Sequence, residues 1–260
     1  AILLSALAGY DPEDDATELI KAQEKFDYYN QLSSSGLKGI RVGVFKPNKS
    51  RMHYDTQLLF HDALKKLEEN GAVLVDIDFT EPPYPEYRKD THNIMQFEFK
   101  QGLNDYFRSL PGPLNQLTLE GLIEFNRQNA ELEMPHFKQE LLEQTLAVGD
   151  LHDPDYLASL ERAQPFARKM IEELLEANDA DLYVTLSADH SWPIDHVHGD
   201  WGTYSNSGIP AVAGYPHITV PMGKVKGLPV GISFIGRPLG EETLFRAAHS
   251  YEERPTHSPS

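Results

Sequence analysis

The sequence predicts an α/β fold, a mixed β-sheet flanked by helices, with a helical section set into it. Three observations carry that prediction. A strand, a helix and a second strand follow one another between Ile40 and Phe79. A third apolar strand, Asp181-Leu182-Tyr183-Val184-Thr185-Leu186, comes shortly after a long amphipathic helix. The forty-odd residues from Gly208 to Glu253 then spell short apolar runs jointed by glycine and proline, as in a strand, a tight turn, a second strand and a terminal helix.

Taken in order, Ala1–Gly9 reads as the last turns of a buried helix closed by Gly9. It lacks the basic flank of a signal peptide, and the chain is expected to be truncated at its amino end. Asp11-Pro12-Glu13-Asp14-Asp15 is an acidic turn suited to opening a short helix, and Leu32–Gly39 is a polar linker. Ile40–Phe45 is an apolar strand; Phe60, Ala63, Leu64 and Leu67 fall at helical spacing, with Gly71 as the cap. Val73–Phe79, rich in β-branched residues, is the next strand. Strand, helix, strand in that length implies a parallel pair joined by a right-handed crossover.

Glu81-Pro82-Pro83-Tyr84-Pro85 breaks the pattern, and a mainly helical section follows over about 86–148, interrupted at Pro111-Gly112-Pro113 and Pro135. Phe97, Phe99, Leu103, Tyr106, Phe107 and Leu110 form an aromatic stripe there, expected to be core. Asp153-Pro154 opens a long helix to Asn178, which Pro165 should kink or restart.

Composition excludes several functions. Forty acidic against 23 basic side chains give a net charge of −17, dispersed along the chain. Such a surface disfavours nucleic acid and anionic membranes as partners. Without cysteine there is no disulfide, thiolate metal site or cysteine nucleophile. No apolar run approaches the roughly twenty residues of a membrane span, so a cytoplasmic protein is expected.

Candidate chemistry is sparse. Ser33-Ser34-Ser35-Gly36 is a serine run with one glycine, in a linker before a strand; a serine needs a base, an oxyanion hole and burial to become nucleophilic, and a catalytic role is not assigned. Gly231-Ile232-Ser233-Phe234-Ile235-Gly236 misses the nucleophile elbow by one residue, and strand alternation gives Ser233 a structural place. His190, Asp195, His196, His198 and Asp200 crowd into eleven positions and offer a metal donor set, although their spacing fits no helix-borne pair. A metal-dependent hydrolase using this cluster is therefore an alternative. No nucleotide or phosphate loop is present, and Arg237 and Lys224 are isolated cations beside turns.

The strongest signal lies in the jointed stretch. Tyr204–Ala211, then Ala213-Gly214-Tyr215-Pro216-His217-Ile218-Thr219-Val220-Pro221-Met222-Gly223, then Gly227-Leu228-Pro229-Val230-Gly231 with Ile235-Gly236-Arg237-Pro238 resemble the carboxyl-terminal part of the amidase signature family. Ala180–Leu186 resembles the strand before that family's substrate loop, with Leu186 where a proline is usual. Leu3–Pro12 resembles the helix and turn after its catalytic region; Tyr84–Val148 is the weakest part of the match. Most of these glycines and prolines are fold residues, permitting positive φ and fixing turns.

The resemblance implies an amidase-signature-like sheet, incomplete at the amino end, with residues 1–260 as the carboxyl-terminal portion of one amidase domain. It implies hydrolysis of a small-molecule carboxylic amide without a cofactor. The family's lysine, bridging serine and nucleophilic serine find no counterpart here, so no catalytic residue is assigned and the chain alone is expected to be inactive. The loop from Ser187 to Asn206 should face the nucleophile, with Trp192, His196, Trp201 and Tyr204 lining the substrate pocket. Two further expectations follow: association with an amino-terminal half or self-association, and, as an alternative, a non-catalytic binding or assembly module.

Overall fold

A computed structural model describes residues 1–23, 25–32, 35–46, 52–77, 84–200 and 204–253. They form two compact units: a sheet unit of residues 1–80, 167–192 and 201–260, and a helical unit of residues 81–166 and 193–200.

The sheet unit holds strands β1 (Arg41–Phe45), β2 (Val73–Ile77), β3 (Leu182–Leu186), β4 (His217–Val225) and β5 (Leu228–Ile235), in the order β2-β1-β3-β5-β4. β1 runs parallel to β2 and β3, whereas β5 is antiparallel to both β3 and β4. The sheet is thus mixed, as the sequence predicts. β3 is central and every residue in it is buried, which is why it reads as a continuous apolar run. β4 lies at an edge, where Pro221, lacking an N–H, and a register shift before Gly223 interrupt the ladder.

Period-2 alternation gives the sheet two different faces. Leu182, Val184 and Leu186, with Val230, Ile232 and Phe234 and with Val220 and Met222, form one buried cluster. Helices α2 (Tyr54–Glu69) and α9 (Glu241–Glu253) complete it through Phe60, Ala63, Leu67, Leu244, Ala247 and Tyr251. On the opposite face Tyr183 and Ile235 pack with Ala167, Ile171, Leu174 and Leu175 of helix α7 (Pro154–Ala177) and with Ala213 of the short α8 (Gly208–Ala213). α2 ends as its sequence predicts: Gly71, just past its end, has φ +93°. Gly214 closes α8 in the same left-handed region.

The helical unit contains α3 (Tyr87–Ser109), α4 (Leu119–Gln128), α5 (Ala130–Glu133), α6 (Glu140–Ala147) and the first half of α7. A 3-10 turn over Gly112–Gln116 and an irregular stretch around Pro135 mark the predicted breaks. Asp90 is its polar anchor. Its buried carboxylate accepts from Arg162 Nε at 2.8 Å and Nη2 at 2.6 Å, from Ser159 at 3.1 Å and from Tyr84 at 2.9 Å.

Two expectations are corrected. The first helix, α1 (Ile2–Leu7), forms, but none of its residues is buried, and Ile2, Leu3 and Leu7 are 65–72% exposed. Its described anchor is polar: Ser5 Oγ accepts from Tyr28 N at 3.0 Å. It ends at Ala8 in an extended conformation, and Gly9 is not among the glycines with positive φ. The aromatic stripe splits: Phe97 and Phe107 are buried while Phe99 and Tyr106 are exposed. Phe97 and Phe99 are two positions apart, about 200° around the helix, so one face cannot hold both. Of the two outcomes expected at Pro165, a kink or a restart, the restart does not occur, since α7 continues through it; the boundary between units falls one residue later, at Phe166. Among the described residues no helix is long and apolar enough to cross a membrane.

Candidate functional site

Open α/β sheets place ligands beyond the carboxyl ends of their parallel strands. Here β3 leaves the sheet at Leu186 and enters the segment that the sequence singles out. Ser187 stays tied to the sheet, its N–H donating to the Gly231 carbonyl at 3.0 Å and its carbonyl accepting from Asn206 N at 3.2 Å. Asn206 Nδ2 also donates to the Leu186 carbonyl at 2.7 Å. The two ends of the Ser187–Asn206 segment are thereby clamped together at the top of the sheet.

Asp189 fixes the start of that segment to α2. Its nearly buried carboxylate accepts from Thr56 Oγ1 at 2.5 Å, His53 N at 2.8 Å and His190 N at 2.9 Å. Burial pushes this carboxyl up, but the bonds from Thr56, His53 and His190 together outweigh it and hold it below the usual carboxylate range. The His53 and His190 rings lie beside one another, centroids 5.1 Å apart.

The face of the sheet shared by Tyr183 and Ile235 turns polar toward this end. Thr185, Ser233 and Thr219 are cross-strand partners in β3, β5 and β4, so alternation points their side chains the same way. Ser233 is fully buried, Ser187 and His217 are half-exposed and Thr219 is exposed. His217 Nε2 lies 2.6 Å from Ser233 Oγ, Ser233 Oγ is 2.8 Å from Ser187 Oγ, and Ser187 Oγ is 2.5 Å from Thr219 Oγ1. Burial lowers the pKa of His217, disfavouring its charged form. Gly231 makes room for this group: a Cβ there would come within 2.6 Å of Thr219 Oγ1 and 3.0 Å of Ser187 Oγ. The arrangement offers hydrogen bonds to a ligand. As a nucleophile Ser233 is sealed from any substrate by its burial.

The predicted pocket residues fall as follows. Tyr204 is half-buried against the cluster beneath α2 and α9, its hydroxyl 3.3 Å from Thr185 Oγ1. Trp192 is 40% exposed and belongs to the sheet unit. His196 belongs to the helical unit, where its ring stacks on His136 with centroids 3.7 Å apart and meets the edge of Phe137. Trp201 lies outside the described residues, as do Ser33 and Ser34 of the serine run.

Two of the candidate metal donors, Asp195 and His198, bond to each other. Asp195 closes a turn, accepting from Val197 N at 2.8 Å and His198 N at 2.9 Å while bonding His198 Nδ1 at 2.8 Å. These bonds, the backbone one from His198 foremost, lower its pKa. Among the described residues no group of three or more His, Asp or Glu side chains converges to hold a metal ion.

Sequence reasoning missed Ser187, Thr219 and His217. The signal was present as alternation, Thr185-x-Ser187, His217-x-Thr219 and Gly231-x-Ser233, but only the strand pairing sets the three rows side by side.

A family model described as Amidase matches residues 1–245. A probable amidase of Arabidopsis thaliana is 31% identical over 259 residues, covering 96% of this chain and 45% of that protein. One of the subunits of the glutamyl-tRNA(Gln) amidotransferase of Acinetobacter baumannii is 28% identical over 268 residues, covering 97% of this chain and 51% of its own. The X-ray structure of the native peptide amidase from Stenotrophomonas maltophilia matches with a TM-score of 0.86 at 32% identity, over 99% of this chain and 52% of that one. The chain spans about half the length of the curated relatives it matches.

Proposed function

The chain belongs to the amidase family, and from that premise we propose that it forms the substrate-facing portion of an enzyme hydrolysing carboxylic amides. The observation that carries this reading is the likeness to a peptide amidase along 99% of the chain at 32% identity. Peptide amides are accordingly the favoured substrate class. The clamped ends of the Ser187–Asn206 segment and the polar sheet face beside them, all in the sheet unit, are the proposed pocket wall. Trp192 and Tyr204 of the sheet unit are proposed to contribute apolar surface and hydrogen-bonding groups to it, and His196 and Trp201 are proposed as substrate-binding residues by their place in the sequence alone.

On this reading the nucleophile is a serine outside residues 1–260. It is activated by a lysine acting through a second serine, and backbone amides bind the tetrahedral oxyanion. The chain supplies binding and orientation, and water completes the hydrolysis. The reading predicts no turnover of an aryl amide or a peptide amide by this chain alone. Turnover abolished by a serine-directed fluorophosphonate would place a nucleophile within the 260 residues and overturn that part of the proposal. The amidase reading itself is tested in the coding sequence upstream of Ala1. A lysine-bearing strand followed by a Gly/Ser-rich segment is expected, and a frame lacking both would sink it.

A second reading, an assembly module, draws on the exposed apolar side chains of Ile2, Leu3, Leu7 and Leu19. On this second reading a partner covers that surface of the sheet unit.

A further inference from the structure

A cavity of about 560 Å³ opens in the sheet unit, at the end of the sheet opposite Ser187. β1 and β3 begin there and β5 ends there. Its volume is in the ordinary range of small-molecule sites, and its walls carry opposite charge. The turn from α7 into β3 presents Glu176, Asp179 and Asp181; the turn from β5 into α9 presents Arg237 and, one turn on, Thr243. The two helices pack on opposite faces of the sheet, so the acidic and basic walls meet the cavity from either side.

Arg41 belongs to the acidic wall. Its backbone N–H donates to Asp181 Oδ2 at 2.8 Å, its Nε donates to the Asp179 carbonyl at 2.5 Å, and Nε lies 3.3 Å from the Asp179 carboxylate. The Glu176 carboxylate has no bonded partner among the described residues. On the basic wall Arg237 is half-buried, yet its guanidinium donates no hydrogen bond among the described residues. Gly240 accepts the first bond of α9, from Leu244 N at 3.2 Å, and brings no capping side chain, so the first N–H groups of the helix stay open to an acceptor. Of the acidic residues in that first turn, Glu241 lines a separate groove beside His217, and Glu242 pairs with Arg246 at 3.9 Å.

Both walls also hold strained backbone. Three of the described residues other than glycine have positive φ, and two of them are here: Asp179 at +48° and Leu239, between Arg237 and Gly240, at +58°. Leucine resists this conformation, and such strain concentrates at ligand sites.

We propose that the cavity binds a zwitterion of the amino-acid or short-peptide class. Glu176, Asp179 and Asp181 hold its ammonium; Arg237, Thr243 and the first N–H groups of α9 hold its carboxylate. The site lies apart from the Ser187–Asn206 segment and does not depend on the amide-hydrolysis reading.

Backbone signals of Asp179, Asp181, Gly236, Gly240 and Thr243 in the 15N-labelled 260-residue chain test the site. The probes are trialanine, its carboxyl-terminal amide, its N-acetyl derivative and L-alanine. Trialanine should shift these signals saturably, and blocking either end should weaken binding by about tenfold. Arg237→Gln should lower trialanine to the level of its amide and leave the amide unchanged. Glu176→Gln with Asp179→Asn, which accepts left-handed backbone, should lower it to the level of the N-acetyl form. An L-alanine response equal to or stronger than that of trialanine makes the ligand a free amino acid, and a weaker one makes it a peptide; either supports the proposal. No saturable shift with any probe overturns it, as does an amide or N-acetyl form that binds as tightly as trialanine. Should a variant fail to fold, the four probes on the wild-type chain still decide.

Discussion

Asp90 is the clearest case of a single side chain whose ionisation is tied to folding. The Arg162 guanidinium bonded to it is the foremost cause that holds its carboxyl at about 2; burial opposes this, and Tyr84 and Ser159 reinforce it. A carboxyl depressed on folding stabilises above its unfolded value, near 3.9, and loses that contribution as pH falls toward its folded value. The contribution is about 2 kcal/mol, less than the full linkage value because Arg162 is half-exposed and screened by water. Asp90→Asn should therefore cost about that much near neutral pH, read from urea midpoints. The gap to wild type should narrow steadily between about pH 4 and pH 2. A gap that does not change with pH would mean that Asp90 acts through packing alone. Asp189 is built on the same physics without a cation of that strength: three donors outweigh its burial.

Among the elements, the β4–β5 hairpin shows how local chemistry and pairing meet. Lys226 and Gly227 connect the strands with φ of +50° and +85°, the two positive values that a tight hairpin turn requires. Glycine accepts this without cost, whereas lysine does so against steric resistance. Lys226→Asn should accordingly stabilise the sheet unit by about 0.5 kcal/mol, visible as a small rise in Tm; a fall would mean that the lysine makes a compensating contact. The stripe on α3 teaches the reverse lesson. Aromatic content is obvious in the sequence, but of the buried residues Tyr87, Asp90, Ile94, Phe97 and Phe107 the first four share one helical face, and they include a charged residue that hydrophobicity alone would have left outside. Its bidentate arginine makes burial tolerable.

At the scale of the whole chain, two properties oppose each other. A net charge of −17 keeps copies apart, while Ile2, Leu3, Leu7 and Leu19 offer apolar surface on the sheet unit. Salt screens the first and leaves the second intact. Light scattering after size exclusion should thus show average mass rising with ionic strength, and Leu3→Lys with Leu7→Lys should remove the rise. A monomer at every salt concentration would count against association through this surface. The same comparison bears on the proposed partner, since a complementary amino-terminal portion would cover the surface and suppress self-association.

The sequence by itself determined the class of fold, the parallel β1–β2 unit, the terminal hairpin and the family. These rest on short-range signals: periodicity, turn residues with obligatory positive φ, and the spacing of glycine and proline. It also marked the segment from Ser187 to Asn206, through the family resemblance; that this segment follows the central strand came from the structure. Tertiary structure alone decided which faces close. Gly36, in what reads as a linker, sits where a Cβ would come within 2.3 Å of the Arg246 carbonyl oxygen, and its neighbour Leu37 is fully buried. Likewise His217, Thr219 and Ser233 are unremarkable strand residues until β4 and β5 pair in register and β5 joins β3. A hydrogen-bonded line across three strands depends on contacts up to 46 positions apart, and no periodicity within one strand encodes which strand lies beside it.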